Sequence, residues 1–265
     1  MSRWWWVGAA ATVPVAAGLL AAWWMVIPAP AAPPSTAAQA QGAWGRVLGC
    51  VVNDRGEVDF VTLSRDRADL NRFLRFVADT PLDFPGGFDQ RMAHLINAYN
   101  ALSMFLVIKR GIPNTHAGLN KLINFLFYRL HIGGRVMSLY TFENDVIRPL
   151  ARSAGDPRVH FALNCSAVSC PVLPRTPFTG AALDQELQRE TLAFFTRPQN
   201  YRYDAATRTV WLSEILHFYI DDFVPAHGRN LIEYANRYAP HAAPLDTEIR
   251  FTPYDWTIAN SRRPR

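Results

Sequence analysis

A thiol, an imidazole and a carboxamide crowd into one short stretch of this 265-residue chain, at His160, Asn164, Cys165 and Cys170. A thiol attacks only as its thiolate, and a neighbouring imidazole can remove the proton or stabilise the anion. Cys165 is therefore the candidate nucleophile and His160 its candidate base, with Asn100 from an upstream helix as an orienting or oxyanion-binding amide. Asn97, Glu143, Arg158 and Asn164 are the candidate binding residues around them. On a strand, positions 160 and 165 point to opposite faces, so this chemistry requires the chain to turn after Leu163.

The same residues have other uses. Cys165 and Cys170 can close a small disulfide ring, which would fix a recognition loop and stabilise the fold by roughly 2 kcal/mol. Such bridges persist in oxidising compartments, and Cys50 would then remain as a small hydrophobe. Zinc is poorly served, because His160, Cys165 and Cys170 have no second Cys pair to complete a four-ligand set. No metal and no cofactor is expected: the chain has no Gly-rich phosphate loop, HExxH helix or GxSxG elbow. Asn97 and Asn100 lie three apart on one helix face and could equally bind the backbone of the cysteine loop, since buried amides are costly unless hydrogen-bonded. Glu143 suits a buried ion pair with an arginine such as Arg158 as well as it suits a substrate clamp. Asp221 and Asp222 cannot face one way on a helix, which argues against a paired-carboxylate site. Phe218, Tyr219 and Phe223 read as core.

Several elements must hold these groups. Leu70, Phe73, Leu74 and Val77 form one helical stripe after Asp66, and a longer helix from about Asp89 to Arg110 is apolar nearly all round until Gly111 and Pro113 end it. Leu119, Leu122, Ile123, Leu126 and Leu130 predict a third helix, and Gly133-Gly134 a turn into a short strand ending near Ser138. Helical patterns recur over Thr141–Leu150, Ala181–Thr196, Ser213–Phe223 and Arg229–Tyr238. Strands are expected at Val159–Leu163, Tyr201–Tyr203, Thr209–Leu212 and Ile249–Tyr254. The expected class is α+β, with several helices packed around a small, mainly antiparallel sheet in a single domain after an N-terminal membrane segment.

That segment runs from Trp4 to Ile27, 24 residues without a charge and with tryptophans at each end. Its length suits a membrane anchor, and Arg3 on the short side keeps the N-terminus inside, placing the domain on the extracytoplasmic, periplasmic side of the cell envelope. A cleaved signal peptide is the competing reading, with Ala38-Gln39-Ala40 as its small-residue site. The expected organisation is residues 1–27 as membrane segment or signal peptide, 28–43 as an Ala/Pro-rich linker, 44–260 as the globular domain and 261–265 as a basic tail. The net charge of +5 comes mostly from the ends, in Arg3 and in Arg262, Arg263 and Arg265, so a nucleic-acid partner is not expected. The expected partners are the membrane, through the N-terminal segment, and an envelope protein or small molecule.

Asn97-Ala98-Tyr99-Asn100-Ala101-Leu102, then Glu143 with Ile147-Arg148-Pro149, then the run from Asp156 to Cys165 with Ser169-Cys170-Pro171, then Leu212-Ser213-Glu214-Ile215 with Asp221-Asp222-Phe223, resemble in this order the DUF547 family. Tyr254-Asp255-Trp256 resembles its closing motif, which carries the likeness over about residues 60 to 258. The resemblance implies a domain and no agreed activity. Two functions follow as expectations: a noncatalytic binding or scaffold module with a disulfide-fixed loop, or a thiol-dependent hydrolase or acyl transferase using Cys165 and His160.

Overall fold

A computed structural model describes residues 25–262. At its centre lies α4 (Phe88–Lys109), buried on nearly every side from Met92 to Val107. It ends where Gly111 takes a positive φ of 73° and the Ile112 N–H returns to the Val107 carbonyl. Around it pack α1 (Ala37–Val51), α2 (Phe60–Arg65) and α3 (Ala68–Asp79), the last burying Leu70, Phe73, Leu74 and Val77 as their spacing requires.

Helix α1 corrects the expected linker. Thr36 caps it in a reciprocal box with Gln39, and Ala40, Ala43 and Trp44 are fully buried. The Trp44 ring stacks on Phe73 at 5.4 Å, and its Nε1 donates to Asn97 Oδ1 at 3.2 Å. A cleavage site at Ala38–Ala40 would fall inside the first turn of this packed helix. Most of the predicted membrane segment lies outside the described residues, but its end does not. Val26 and Ile27 form β1, and Ile27 joins the core. Among the described residues no helix is long and apolar enough to cross a membrane.

Among the described residues two small sheets replace the single one expected, and both are mixed. In the first, β1 (Val26–Ile27) lies parallel to β2 (Arg129–Ile132), which pairs antiparallel with β3 (Arg135–Met137). The β2–β3 hairpin turns on Gly133 and Gly134, both at positive φ, and a Cβ on Gly133 would stand 2.5 Å from Leu82 Cγ. In the second, β4 (Tyr201–Asp204) pairs antiparallel with β5 (Thr209–Ser213), and β6 (Glu248–Thr252) lies parallel to β5. The parallel pairings arise because β1 and β6 are brought to their partners by long excursions of chain, which hairpins cannot supply.

The remaining helices are interrupted in ways the periodicity does not show. The predicted third helix, α5, spans 119–127: a helical turn, Leu119–Leu122, passes into a π turn, Ile123–Phe127, and the chain is extended by Arg129. Its apolar stripe is largely exposed, so it does not serve as a core face. Helix α6, residues 139–153, contains a second π turn over Phe142–Ile147, just before Pro149, which has no N–H for the normal ladder. Further on come α7 (Leu183–Phe195), then α8 (Glu214–Phe218) and α9 (Ile220–Phe223), which break apart at Tyr219, and α10 (Leu231–Ala235). Val159–Leu163 is not a strand. Pro157 starts a 3₁₀ turn, Pro157–Phe161, capped by the Asp156 side chain.

One apolar core surrounds α1, α3 and α4, and a second, rich in Phe and Tyr, surrounds the second sheet. The 3₁₀ turn bridges them, with Val159 in the first and Phe161 in the second. The basic tail also differs from expectation at its start, where the Arg262 Nε donates to both carboxylate oxygens of Asp59 at 2.7 and 2.8 Å.

If α1 belongs to the folded core, Trp44→Ala will lower unfolding free energy by about 3–5 kcal/mol, the usual cost of emptying an aromatic site. Urea titration of the full chain measures it, and a change near zero would return residues 37–44 to a linker.

Candidate functional site

The segment after the 3₁₀ turn is irregular and buried, so its peptide groups need partners outside any ladder. Asn100 supplies two: its Nδ2 donates to the Ala162 carbonyl at 3.0 Å and its Oδ1 accepts from the Asn164 N–H at 2.7 Å. Asn164 in turn spans the loop, accepting from the Ser166 N–H and donating to the Pro171 carbonyl, both at 2.7 Å. Ser166 stands at φ 67°, a costly conformation for a residue with a Cβ, which the Asn164 contact and a hydroxyl contact to Ser103 at 3.1 Å support. His116 completes the brace with its Nε2 2.9 Å from the Cys165 carbonyl. Burial holds its imidazole down to about 4, so it is neutral and donates through Nε2 while Nδ1 accepts from Arg110. From the other side, the C-terminal segment pairs with the loop through Val168 N–H to the Thr257 carbonyl and Ala259 N–H to the Ser166 carbonyl, both 2.8 Å.

This turn brings Cys165, Cys170 and His160 to one cavity of about 340 Å³. The two sulfurs are 2.8 Å apart, longer than the bond of about 2.05 Å, so both thiols are free and the expected disulfide is absent. They are not equivalent. Burial pushes the Cys170 thiol up, but donors outweigh it: the Cys165 thiol, the Tyr254 hydroxyl at 3.0 Å and the Cys165 N–H at 3.0 Å bring it below its ordinary value. Giving its hydrogen to Cys170, and burial besides, pushes the Cys165 thiol well above the ordinary thiol range. The more readily formed thiolate is therefore Cys170 rather than the expected Cys165.

His160 lines the cavity without a hydrogen bond to either sulfur. Its Nε2 lies 2.7 Å from Asp222 Oδ2, its Nδ1 is buried with no partner, and its ring stacks on Tyr219 at 4.1 Å. Asp222 also accepts from Arg148 Nε at 2.7 Å and from Arg152 Nε. Burial would raise the Asp222 carboxyl, yet these three donors hold it well below the usual carboxylate range. For His160 burial prevails over the pull of Asp222 and Glu143, and with the nearby Arg148 charge it holds the imidazole below its ordinary value. The imidazole is thus neutral, with Nε2–H toward Asp222 and a free lone pair on Nδ1.

A second polar cluster faces the same space. The Tyr219 hydroxyl donates to Glu143 Oε1, and Tyr99 lines the same cavity, where burial and the Glu143 charge push its hydroxyl well above the ordinary phenol range. The expected Glu143–Arg158 pair does not form. Arg158 is engaged by Asp156 at 2.8 Å and Asp184 at 2.7 Å, away from the cavity lining. Asn97 is likewise remote, with its amide bonded to the Phe178 backbone and Trp44. Asn100 is structural, both amide atoms being spent on the loop. Sequence reasoning sets Asp222 aside with Asp221, reads Tyr219 as core, and meets Tyr99 and Tyr254 only inside the motifs of the family resemblance, so it gives none of the four a place at the site. The break between α8 and α9 is what turns Tyr219 inward and Asp222 onto His160, and uninterrupted periodicity hides it. Among the described residues no group of three His, Cys, Asp or Glu side chains is arranged to hold a metal ion.

Residues 88–195 match the family model DUF547, described as a protein of unknown function. This stretch is similar to the DUF547 family. It covers α4 through α7, hence the cysteine loop, Glu143 and His160, while Asp222, Tyr219 and Tyr254 come from chain beyond the match. No curated protein matches the chain, and no solved structure does.

Asp222→Asn will leave Arg148, Arg152 and His160 without their shared anion and should cost about 3 kcal/mol at neutral pH. A carboxylate depressed by folding contributes stability above its unfolded value of about 3.9 and loses it as pH falls below that. The gap between wild type and variant, measured by urea unfolding, should therefore narrow between pH 6 and pH 3, taken as roughly the span on either side of that value. A gap independent of pH would remove Asp222 from its role as the neutralising anion.

Proposed function

We propose that this DUF547-like domain is a thiol–disulfide oxidoreductase acting on a small molecule in the cavity, with Cys170 as the attacking thiolate and Cys165 as the resolving thiol. The observation that carries the reading is the asymmetric pair: two free sulfurs 2.8 Å apart, of which Cys170 accepts the Cys165 N–H at 3.0 Å and stands nearer the Tyr254 hydroxyl, at 3.0 Å against 3.4 Å for Cys165. A cavity of about 340 Å³ lies in the range of small-ligand sites.

The reaction balances within the site and its substrate. Cys170 thiolate attacks one sulfur of a substrate disulfide, the substrate S–S bond breaks, and the first thiolate leaves and takes a proton. Cys165 then loses its proton, for which the neutral His160 with its unpartnered Nδ1 is the acceptor on the same cavity. The Cys165 thiolate attacks Cys170 Sγ and expels the second substrate thiolate, leaving Cys165–Cys170 oxidised by two electrons and the substrate reduced to two thiols. A thiol donor in the same compartment resets the pair, and the reverse direction oxidises substrate thiols. Export by the apolar run before Met25 is part of this proposal and would place the pair where disulfide chemistry operates.

The Asp222–His160 pair favours a second reading, in which the same Cys170 performs acyl transfer with His160 as base. The binding-module reading uses the same cavity, but the loop's fixity here rests on Asn100, Asn164 and His116 rather than on a bridge.

The test uses dithiodipyridine on protein carrying Cys50→Ser. Wild-type sulfurs should release two thiopyridones per chain and become bridged. Cys165→Ser should release one and trap a mixed disulfide on Cys170, visible as an added pyridylthio mass. Cys170→Ser should react at least tenfold more slowly, a gap of about 1.4 kcal/mol in barrier. Preferential attack by Cys165, or inert sulfurs in folded protein, would overturn the assignment. Thioester turnover that survives Cys165→Ser and disappears in His160→Gln would establish acyl transfer instead.

A further inference from the structure

The mouth of the cavity is unusual in composition. Of the eleven large apolar side chains exposed among the described residues, six fall within residues 119–140: Leu119, Leu122, Leu126, Phe127, Val136 and Tyr140. Three of them, Leu122, Leu126 and Tyr140, line the cavity, and exposed Phe218 joins them across it. Leu119 is 77% exposed and Tyr140 52%, so this is apolar surface left in solvent rather than the edge of a core.

Charge follows the same stretch. Between Gln90 and Phe142 the sequence holds no aspartate or glutamate, yet six basic residues. Lys109, Lys121, Arg129 and Arg135 are exposed. Lys121 stands 4.0 Å over the Trp256 ring at the cavity mouth, keeping its stem on apolar surface. An apolar ridge set among unopposed cations is the chemistry that binds an anionic lipid surface.

The chain path supplies the third observation. Arg129, two residues after Phe127, donates its N–H to the Met25 carbonyl at 2.9 Å, and Val26 pairs with Arg129 in the sheet. The uncharged run Trp4–Trp24 therefore joins the fold beside the exposed end of α5.

We propose that the ridge 119–140 rests on the surface of an anionic phospholipid bilayer, the same one that the N-terminal run enters, so that the cavity mouth opens at the lipid interface. This rests on the membrane reading of residues 4–24 and not on the thiol chemistry. A Cys165→Ser/Cys170→Ser double variant must therefore dock as wild type does, which separates failure of one proposal from failure of the other.

The test is photo-crosslinking of the full chain reconstituted in vesicles of phosphatidylcholine with phosphatidylglycerol. A benzophenone amino acid is placed at position 122, at 126, or at 206, where it sits in the β4–β5 turn at the far end of β5 from Ser213. The expected result is phospholipid adducts at 122 and 126 and none at 206, detected as lipid mass on the chain. Arg129→Glu with Arg135→Glu should reduce the adducts at least about fivefold in anionic vesicles and leave them unchanged in vesicles of phosphatidylcholine alone. Adducts to a second copy or to residues 1–24, or no adduct at either ridge position, would overturn the proposal.

Discussion

Burying irregular backbone is the constraint on which the rest of this structure turns. The loop from Ala162 to Pro171 has no helix and a single β-bridge, Ala167 with Ile258, to satisfy its peptide groups, and an unpaired buried amide costs about as much as several good contacts gain. The solution is a set of side chains from distant parts of the chain. Asn100 from α4 takes one donor and one acceptor, Asn164 spans the loop, and neutral His116 holds the Cys165 carbonyl. Because those bonds are made, the loop can hold a left-handed Ser166 and keep the two sulfurs side by side.

Electrostatics then separates the polar groups into two compartments. Asp222 gathers Arg148, Arg152 and His160, so the guanidiniums spend their charge on an aspartate instead of on the thiols. Tyr219, held between the His160 ring and the Arg148 guanidinium, passes its hydroxyl to Glu143 and insulates one cluster from the other. What lowers Cys170 against its burial is therefore local hydrogen bonding, from the Cys165 thiol first and then from Tyr254 and the loop's own N–H groups, rather than a cation. A thiolate stabilised by donors that move with the loop depends on loop geometry more than one paired to a mobile side chain would.

The sequence discloses the parts whose rules are local. The stripe Leu70, Phe73, Leu74, Val77 and the stop at Gly111 are readable because periodicity and a positive φ act within a turn or two. The Gly133-Gly134 hairpin is readable for the same reason. The α1 helix was hidden by an Ala, Gln and Gly composition that suits a spacer, although the Thr36–Gln39 capping pattern marks its start. What made it part of the core, Trp44 against Phe73 and Asn97, is contact across 29 and 53 positions. The cysteine loop was legible as a place, since thiols and imidazole are rare enough to stand out. Its wiring was not, because Asp222 reaches His160 across 62 residues and Tyr254 reaches Cys170 across 84. Two carboxylates side by side in sequence gave no hint that one alone is buried.

The placement of the cavity follows from having two cores rather than one. The first contributes α4 with Tyr99, and the second contributes Tyr219 and, through β6, the segment bearing Tyr254. His160 sits between Val159, which belongs to one core, and Phe161, which belongs to the other. Inside either core a neutral imidazole with an unpaired nitrogen would be a defect that larger apolar packing would remove. At the seam the chain can keep open space beside it, because the two cores close against each other elsewhere. The same geometry explains why both π turns face the cavity. A π turn widens a helix and costs packing, which is tolerable only where the widened side meets a void. Phe125 in α5 and Glu143 in α6 both stand on such turns, and both line the space above the thiols.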